Sequence, residues 1–204
     1  KRSEEANALQ QFSTPPQLAY LVSACARVTD ADVVLEPSAG TGMLAHFCGV
    51  RRATLVLNEL DAGRRALLQE LYPAVNCTGF NAEYLNDQLE ATVRPSVVVL
   101  NPPFSASPKL NKRNPEATGN HVRQSFLRLR PGGRMVAITG HWFCPGSEYW
   151  HQAFHKLSHR VVATVVCDGS VYAKHGTTME TRLTVIDKLP EGREGEGSQA
   201  ELLS

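Results

Sequence analysis

Asn101-Pro102-Pro103-Phe104 directly follows the apolar run Ser96–Leu100 and gathers hydrogen-bond acceptors at a strand end. Two consecutive prolines fix φ and supply no N–H, so the Asn101 side-chain oxygen and the Pro102 carbonyl can both face an incoming donor. An aromatic amino group has two hydrogens to offer and a lone pair delocalised into its ring. A pair of acceptors that takes both hydrogens pushes the nitrogen towards tetrahedral geometry and frees the lone pair for in-line attack on a methyl sulfonium. This is electrostatic preorganisation, and it needs neither a metal nor a covalent intermediate. Phe104 adds a flat face for stacking a base. The competing reading, an ordinary Pro-Pro turn, is disfavoured by the strand before it and by a second motif upstream.

That second motif is Glu36-Pro37-Ser38-Ala39-Gly40-Thr41-Gly42, which also ends an apolar run, Val33–Leu35. Gly40 and Gly42 let the backbone turn sharply and come close to a ligand, and the helix that follows offers unpaired N–H groups at its start. Glu59, at the end of the next strand, is placed to accept hydrogen bonds from both hydroxyls of a ribose. Gly40-Thr41-Gly42-Met43-Leu44-Ala45 equally fits a dinucleotide fingerprint with an acid about 20 residues on. On this half alone, a site for S-adenosylmethionine and a site for a nicotinamide nucleotide both remain open.

The elements that position the two motifs alternate along the chain. Pro15–Arg27 has helical spacing of apolar residues, and Met43–Val50 resumes helical character after the glycine turn. Ala53–Leu57 reads as strand, Ala62–Leu71 as helix, Val75–Gly79 as strand, Glu83–Ala91 as a short helix and Ser96–Leu100 as strand. Ser105–Thr118 is polar and reads as a long loop before a helix over Val122–Leu129. Arg134–Thr139 reads as strand and Ser147–Leu157 as helix, and two β-rich runs, Val161–Cys167 and Thr181–Asp187, close the pattern as antiparallel neighbours. The fold class is α/β: a mostly parallel, Rossmann-like sheet with an antiparallel C-terminal hairpin and helices on both faces. Ligands of such sheets bind beyond the carboxyl ends of the strands, where both motifs fall.

The charge balance of Lys+Arg 21 against Asp+Glu 20 is far from the basic footprint of a self-sufficient nucleic-acid binder. Cys25, Cys48, Cys77, Cys144 and Cys167 form no Cys-x-x-Cys pair and read as reduced thiols. No apolar run is long enough to span a bilayer, so the expectation is a soluble, cytoplasmic protein with no membrane partner. The start at Lys1 and the Gly/Glu-rich stretch Glu191–Ser198 suggest a piece of something larger. The expected division is a polar lead-in over 1–10, a catalytic domain over 11–188 and a linker over 189–204.

Taken together, these residues resemble the amino-methyltransferases of DNA, in the arrangement where the cofactor motifs precede the catalytic one. The likeness runs from Gln11 to Lys188. Phe12-Ser13-Thr14-Pro15 is similar to the family's element that cups the methionine part of S-adenosylmethionine. Leu35 to Gly42 is similar to its glycine loop, which implicates Glu36, Pro37, Ser38, Ala39, Gly40, Thr41 and Gly42 in cofactor binding. Asn58-Glu59 with Leu60 resembles the ribose-binding acid, and Asn81-Ala82-Glu83-Tyr84-Leu85 the segment contacting the cofactor adenine through Ala82 and Glu83. Asn101-Pro102-Pro103-Phe104 matches the catalytic tetrad, with Asn101 also reaching the cofactor. The resemblance implies a class I S-adenosylmethionine-dependent methyltransferase fold and methyl transfer to adenine N6 in DNA. RNA adenine and protein glutamine, usually with Tyr at the last tetrad position, are the alternatives. More narrowly, Gln10 to Pro16 with this glycine loop resembles methyltransferase domains fused ahead of a helicase in plasmid and phage proteins. After Lys188 there is no room for a target-recognition domain, so DNA binding is expected to draw on other domains, with this one a monomer. That departure also leaves open a non-catalytic cofactor-binding or docking module.

Tyr172 corresponds to a family aromatic that packs against the flipped base, with an ordinary hairpin aromatic as the alternative. Lys109, Lys112 and Arg113 suit either a phosphate track or a solvated loop. His151, His155 and His159 fall at i, i+4, i+8 of the expected last helix; with Glu148 the only nearby carboxylate, an exposed polar face is favoured over a metal site. Trp142 and Phe143 either border the base pocket or pack in the core.

Overall fold

The structure is a computed structural model and describes residues 13–103, 115–175 and 178–190. Seven strands form one sheet: β1 (Val33–Glu36), β2 (Thr54–Asn58), β3 (Cys77–Thr78), β4 (Val97–Leu100), β5 (Arg134–Gly140), β6 (His159–Cys167) and β7 (Thr181–Lys188). Their order is β3-β2-β1-β4-β5-β7-β6; β1 to β5 pair in parallel, and β7 runs antiparallel to both β5 and β6. The order reverses between β1 and β4, which pair through Val34↔Val97 and Leu35↔Val98. A glycine turn after β1 and the Asn101 corner after β4, sixty residues apart in sequence, are thereby fixed side by side. The expected hairpin is the β6–β7 pair. Its outer strand carries an irregularity in register between Val161 and Ala163.

Helices cover both faces, as the buried side chains show. Val97 and Val99 of β4 pack with α1 (Pro16–Ala26) and α2 (Met43–Gly49) through Leu18, Val22, Leu44 and Cys48. Val98 and Leu100 point the other way, onto α5 (Pro115–Arg128) and α6 (Glu148–Ala153) through Val122, Phe126 and Trp150. All four β4 residues are buried, the continuous apolar reading expected of a central parallel strand. A third cluster, Leu57, Leu68 and Cys77, seats α3 (Ala62–Leu71) over the β2 end. Burying each such Leu or Val stabilises the fold by about 1.5–3 kcal/mol. Local signals agree with these elements: Pro16 opens α1 at its first position, and the Asp61 side chain accepts the Arg64 N–H at the start of α3, at 2.8 Å.

The departures from the sequence reading have physical causes. The third strand shrinks to Cys77–Thr78, and Glu83–Ala91 resolves into a 3-10 turn, Ala82–Tyr84, and a single turn of α4, Leu85–Gln88. The loop expected up to Thr118 ends sooner, because α5 already begins at Pro115 and buries Ala117, Thr118 and His121. Helix α6 stops at Ala153; Lys156 takes φ 57°, and His159 opens β6. The three histidines therefore share no helical face. The His159 ring instead packs 4.5 Å from Phe154, and burial holds its pKa below the usual imidazole value. Tertiary packing around Trp150 and Phe154 overrides a helical pattern that the sequence continues to Leu157. Among the described residues, no helix is long and apolar enough to cross a membrane. The five cysteines are free; Cys48 and Cys77 are buried and the others partly so.

Candidate active site

The carboxyl ends of β3, β2, β1 and β4 stand in a row, and the loops that leave them wall one cavity of about 290 Å³. Asn58, 1% exposed, stitches these loops together. Its Nδ2 donates to the carbonyls of Pro37 and Phe80, both at 2.9 Å, and its Oδ1 accepts from Phe80 N and Thr78 Oγ1, both at 2.8 Å. Every hydrogen-bonding position of that amide is used. Gly40 and Gly42 adopt φ 57° and 81°, and a Cβ on Gly42 would lie 2.9 Å from Leu68 Cδ2 and 3.2 Å from Tyr72 Cε2. Only glycine meets both demands at that position.

Glu59, 5% exposed, accepts the Gly40 N–H through Oε2 at 2.7 Å and the Asp61 N–H through Oε1 at 2.9 Å. Burial pushes its pKa up, and those two N–H groups and the Arg64 guanidinium partly offset the rise. Glu83 is held from two sides: its N–H donates to Asn81 Oδ1 at 3.0 Å, and its Oε2 accepts from Asn120 Nδ2 at 3.1 Å. Glu36, 2% exposed, lines the same cavity, and its Oε2 has no hydrogen-bond partner among the described residues. Burial, helped by repulsion from Glu59, holds the Glu36 carboxyl well above the usual range, with the Ala45 N–H acting in the other direction.

Asn101 lines the same cavity. Its Nδ2 donates to Thr14 Oγ1 at 2.9 Å and to Tyr172 Oη at 3.3 Å, which leaves Oδ1 buried and without a partner among the described residues. The Pro103 carbonyl accepts from Thr118 Oγ1 at 2.8 Å. No hydrogen bond to the Pro102 carbonyl is found among the described residues. A buried acceptor left unpaired costs about 1–3 kcal/mol, so such a group needs a reason. Here the reason is its place: Asn101, Pro102 and Pro103 all line the cavity that Glu36, Glu59 and Glu83 also line.

Of the residues singled out in the sequence, Ser13, Thr14, Glu36, Pro37, Ser38, Ala39, Gly40, Thr41, Glu59, Leu60, Ala82 and Glu83 line this cavity together with Asn101, Pro102 and Pro103. Gly42 stands just behind, as the residue capping α2. Phe12, Phe104, Lys109, Lys112 and Arg113 lie outside the described residues. Tyr172 departs from its expected place: it is fully buried in the core cluster on the α1 face of the sheet, so it offers no exposed face to a base, while its hydroxyl meets Asn101 Nδ2. Phe143 is core, and Trp142 packs edge-on against it at 6.0 Å. The sequence reading missed His121, which lines the cavity with its Nδ1 3.3 Å from Ser38 Oγ, and whose pKa burial pushes down to about 4. It also missed Arg64 and Phe80. Pro115 followed by Ala117, His121 and Val122 at helical spacing is the signal that would have placed His121 on a helix facing inward. Among the described residues, no three His, Cys, Asp or Glu side chains cluster as metal ligands.

No family model and no curated protein matches the sequence. Solved structures do match the fold. A protein described as a modification subunit of a type I restriction enzyme from Vibrio vulnificus YJ016 superimposes with TM-score 0.72 at 15% identity, over 90% of this chain and 48% of that one. The M protein of the type I restriction enzyme EcoKI gives 0.68 at 16% identity, over 91% of this chain and 46% of its own. A geranyl diphosphate methyltransferase in complex with S-adenosylmethionine gives 0.63 at 12% identity, over 85% of each chain. The fold is that of the class I S-adenosylmethionine-dependent methyltransferases. The chain spans about half the length of the two type I subunits it matches, 48% and 46%.

Proposed function

We propose that this chain binds S-adenosylmethionine and transfers its methyl group to an exocyclic amino nitrogen, adenine N6 in DNA. The observation that carries the reading is the buried, unpartnered Oδ1 of Asn101, a residue that lines, with Pro102, the same cavity as Glu36, Glu59 and Glu83. The residues present suit the cofactor. Glu59 keeps lone pairs that would suit a ribose diol, Glu83 adds a carboxylate that would suit an adenine amino group, and Glu36 contributes a buried carboxyl with an unpartnered oxygen, among the described residues, to the same lining. Ser13 and Thr14 close the end next to Asn101. The cofactor, when bound, supplies an electrophilic methyl group on a positively charged sulfur.

The chain's own part is electrostatic. Asn101 Oδ1 and Pro102 O accept the two amino hydrogens and concentrate the lone pair on nitrogen. The same two acceptors would hold the amino nitrogen for the methyl group that the bound cofactor would supply, and would pass the surplus amino proton towards solvent. The near-neutral charge, and likenesses roughly twice as long, support delivery of the base by other domains of a longer protein.

Two measurements test the reading. Labelled S-adenosylmethionine offered with DNA, RNA and protein is expected to label DNA as N6-methyladenine; label appearing in glutamine or RNA would redirect it, and affinity for a nicotinamide nucleotide in place of S-adenosylmethionine would end it. The second concerns protons. Burial holds the Glu36 carboxyl well above the usual carboxylate range, and a positive ligand favours its ionised form, so binding should release a proton at any pH where Glu36 is still protonated in the free protein. Affinity should then rise with pH through the interval in which Glu36 titrates in the free protein. The free protein should lose stability over that same interval, because its folded-state pKa lies above the unfolded value. Calorimetry in buffers of different ionisation heat reads the released proton, and Glu36→Gln should abolish it.

A further inference from the structure

The Asn101 amide is gripped by two hydroxyls from distant parts of the chain. Thr14 precedes α1, and Tyr172 lies in the 3-10 helix Gly169–His175 between β6 and β7. Their oxygens stand 2.9 and 3.3 Å from Nδ2. Both are well enclosed, Thr14 at 7% and Tyr172 at 0% exposure, and Tyr172 is embedded against Val99 and Leu183 as well as α1. With both Nδ2 hydrogens engaged by these two oxygens, the amide plane is fixed and Oδ1 is left buried and unpartnered, among the described residues, on a residue that lines the cavity.

We propose that Tyr172 is a positioning residue: with Thr14 it holds the Asn101 amide in place as an acceptor for the target amino group, and it does not itself stack on the base. This rests on the methyl-transfer reading above, and it gives a purpose to a fully buried phenol at the end of a connection that could have been closed by Phe. Burial pushes the phenol pKa up, so its proton stays on across ordinary working pH.

The test uses Tyr172→Phe and Thr14→Val, which keep shape and burial and remove only the hydroxyls. Each should lower kcat for methyl transfer by about tenfold, the scale of one lost hydrogen bond, and the double variant by about a hundredfold. Tyr172→Phe should leave KM for DNA and the affinity for S-adenosylmethionine within about twofold, and Thr14→Ser should restore the rate lost in Thr14→Val. An unchanged kcat in folded Tyr172→Phe, or a raised KM for DNA at constant kcat, would overturn the assignment; the second outcome would return the ring to the base. A readout independent of turnover separates this from the parent reading. Both Asn101 Nδ2 protons should exchange slowly with solvent in the unaltered chain and faster in each variant by ¹⁵N-resolved NMR. Rapid exchange in the unaltered chain defeats the clamp even if methyl transfer is confirmed, whereas slow exchange with no transfer to any amine defeats the parent reading alone.

Discussion

Asn101→Ala is expected to slow methyl transfer by about two to three orders of magnitude, the penalty seen when one preorganised polar group is removed from a reacting centre. Affinity for S-adenosylmethionine should change by only a few-fold. The substitution deletes one of the two acceptors meant for the amino hydrogens and leaves the Pro102 carbonyl in place, so turnover falls without vanishing. It also removes the group to which Thr14 and Tyr172 are bonded, at a stability cost of about 1–3 kcal/mol. Single-turnover rates with labelled cofactor, cofactor affinity by calorimetry and a thermal melt separate these effects. A parallel loss of rate and affinity would mean that Asn101 serves the cofactor and not the amine.

Glu59→Ala should have the opposite signature, with affinity for S-adenosylmethionine falling by a hundredfold or more. Two charge-assisted hydrogen bonds to a ribose are each worth about 1.5–3 kcal/mol, so losing both accounts for such a drop. The same carboxylate accepts the Gly40 and Asp61 N–H groups at 2.7 and 2.9 Å, so its removal also loosens the glycine turn. Glu59→Gln is not a silent control. An amide has one acceptor oxygen, so either Gly40 or Asp61 would face an NH₂ group, and an intermediate loss of about tenfold is expected. Titration calorimetry checks all three proteins, and unimpaired binding by Glu59→Ala would remove Glu59 from the ribose.

Much of this was legible because neighbouring residues carried it. The glycine turn, the acid after β2 and the Asn-Pro-Pro corner are local patterns at strand ends, and parallel strand order brings their ends together without further information. What the sequence hid depends on distance. Nothing near Tyr172 says that its hydroxyl meets an amide 71 positions away, and nothing near Thr14 says that it meets the same amide across 87. His121 was hidden by a boundary: with the helix read from Val122, its preceding turn passed for loop. His151, His155 and His159 misled in the other direction, since a periodic pattern continued where ring packing had already turned the chain.

The contrast between Asn58 and Asn101 has a thermodynamic consequence. Both amides sit at the ends of inner strands, yet one spends all its bonds on neighbouring loops while the other keeps its oxygen uncommitted. A wall riveted in this way before any ligand arrives leaves little backbone to order on association. The entropic penalty of complex formation then falls mainly on the ligand's own torsions and tumbling, and on the base that must leave its stack.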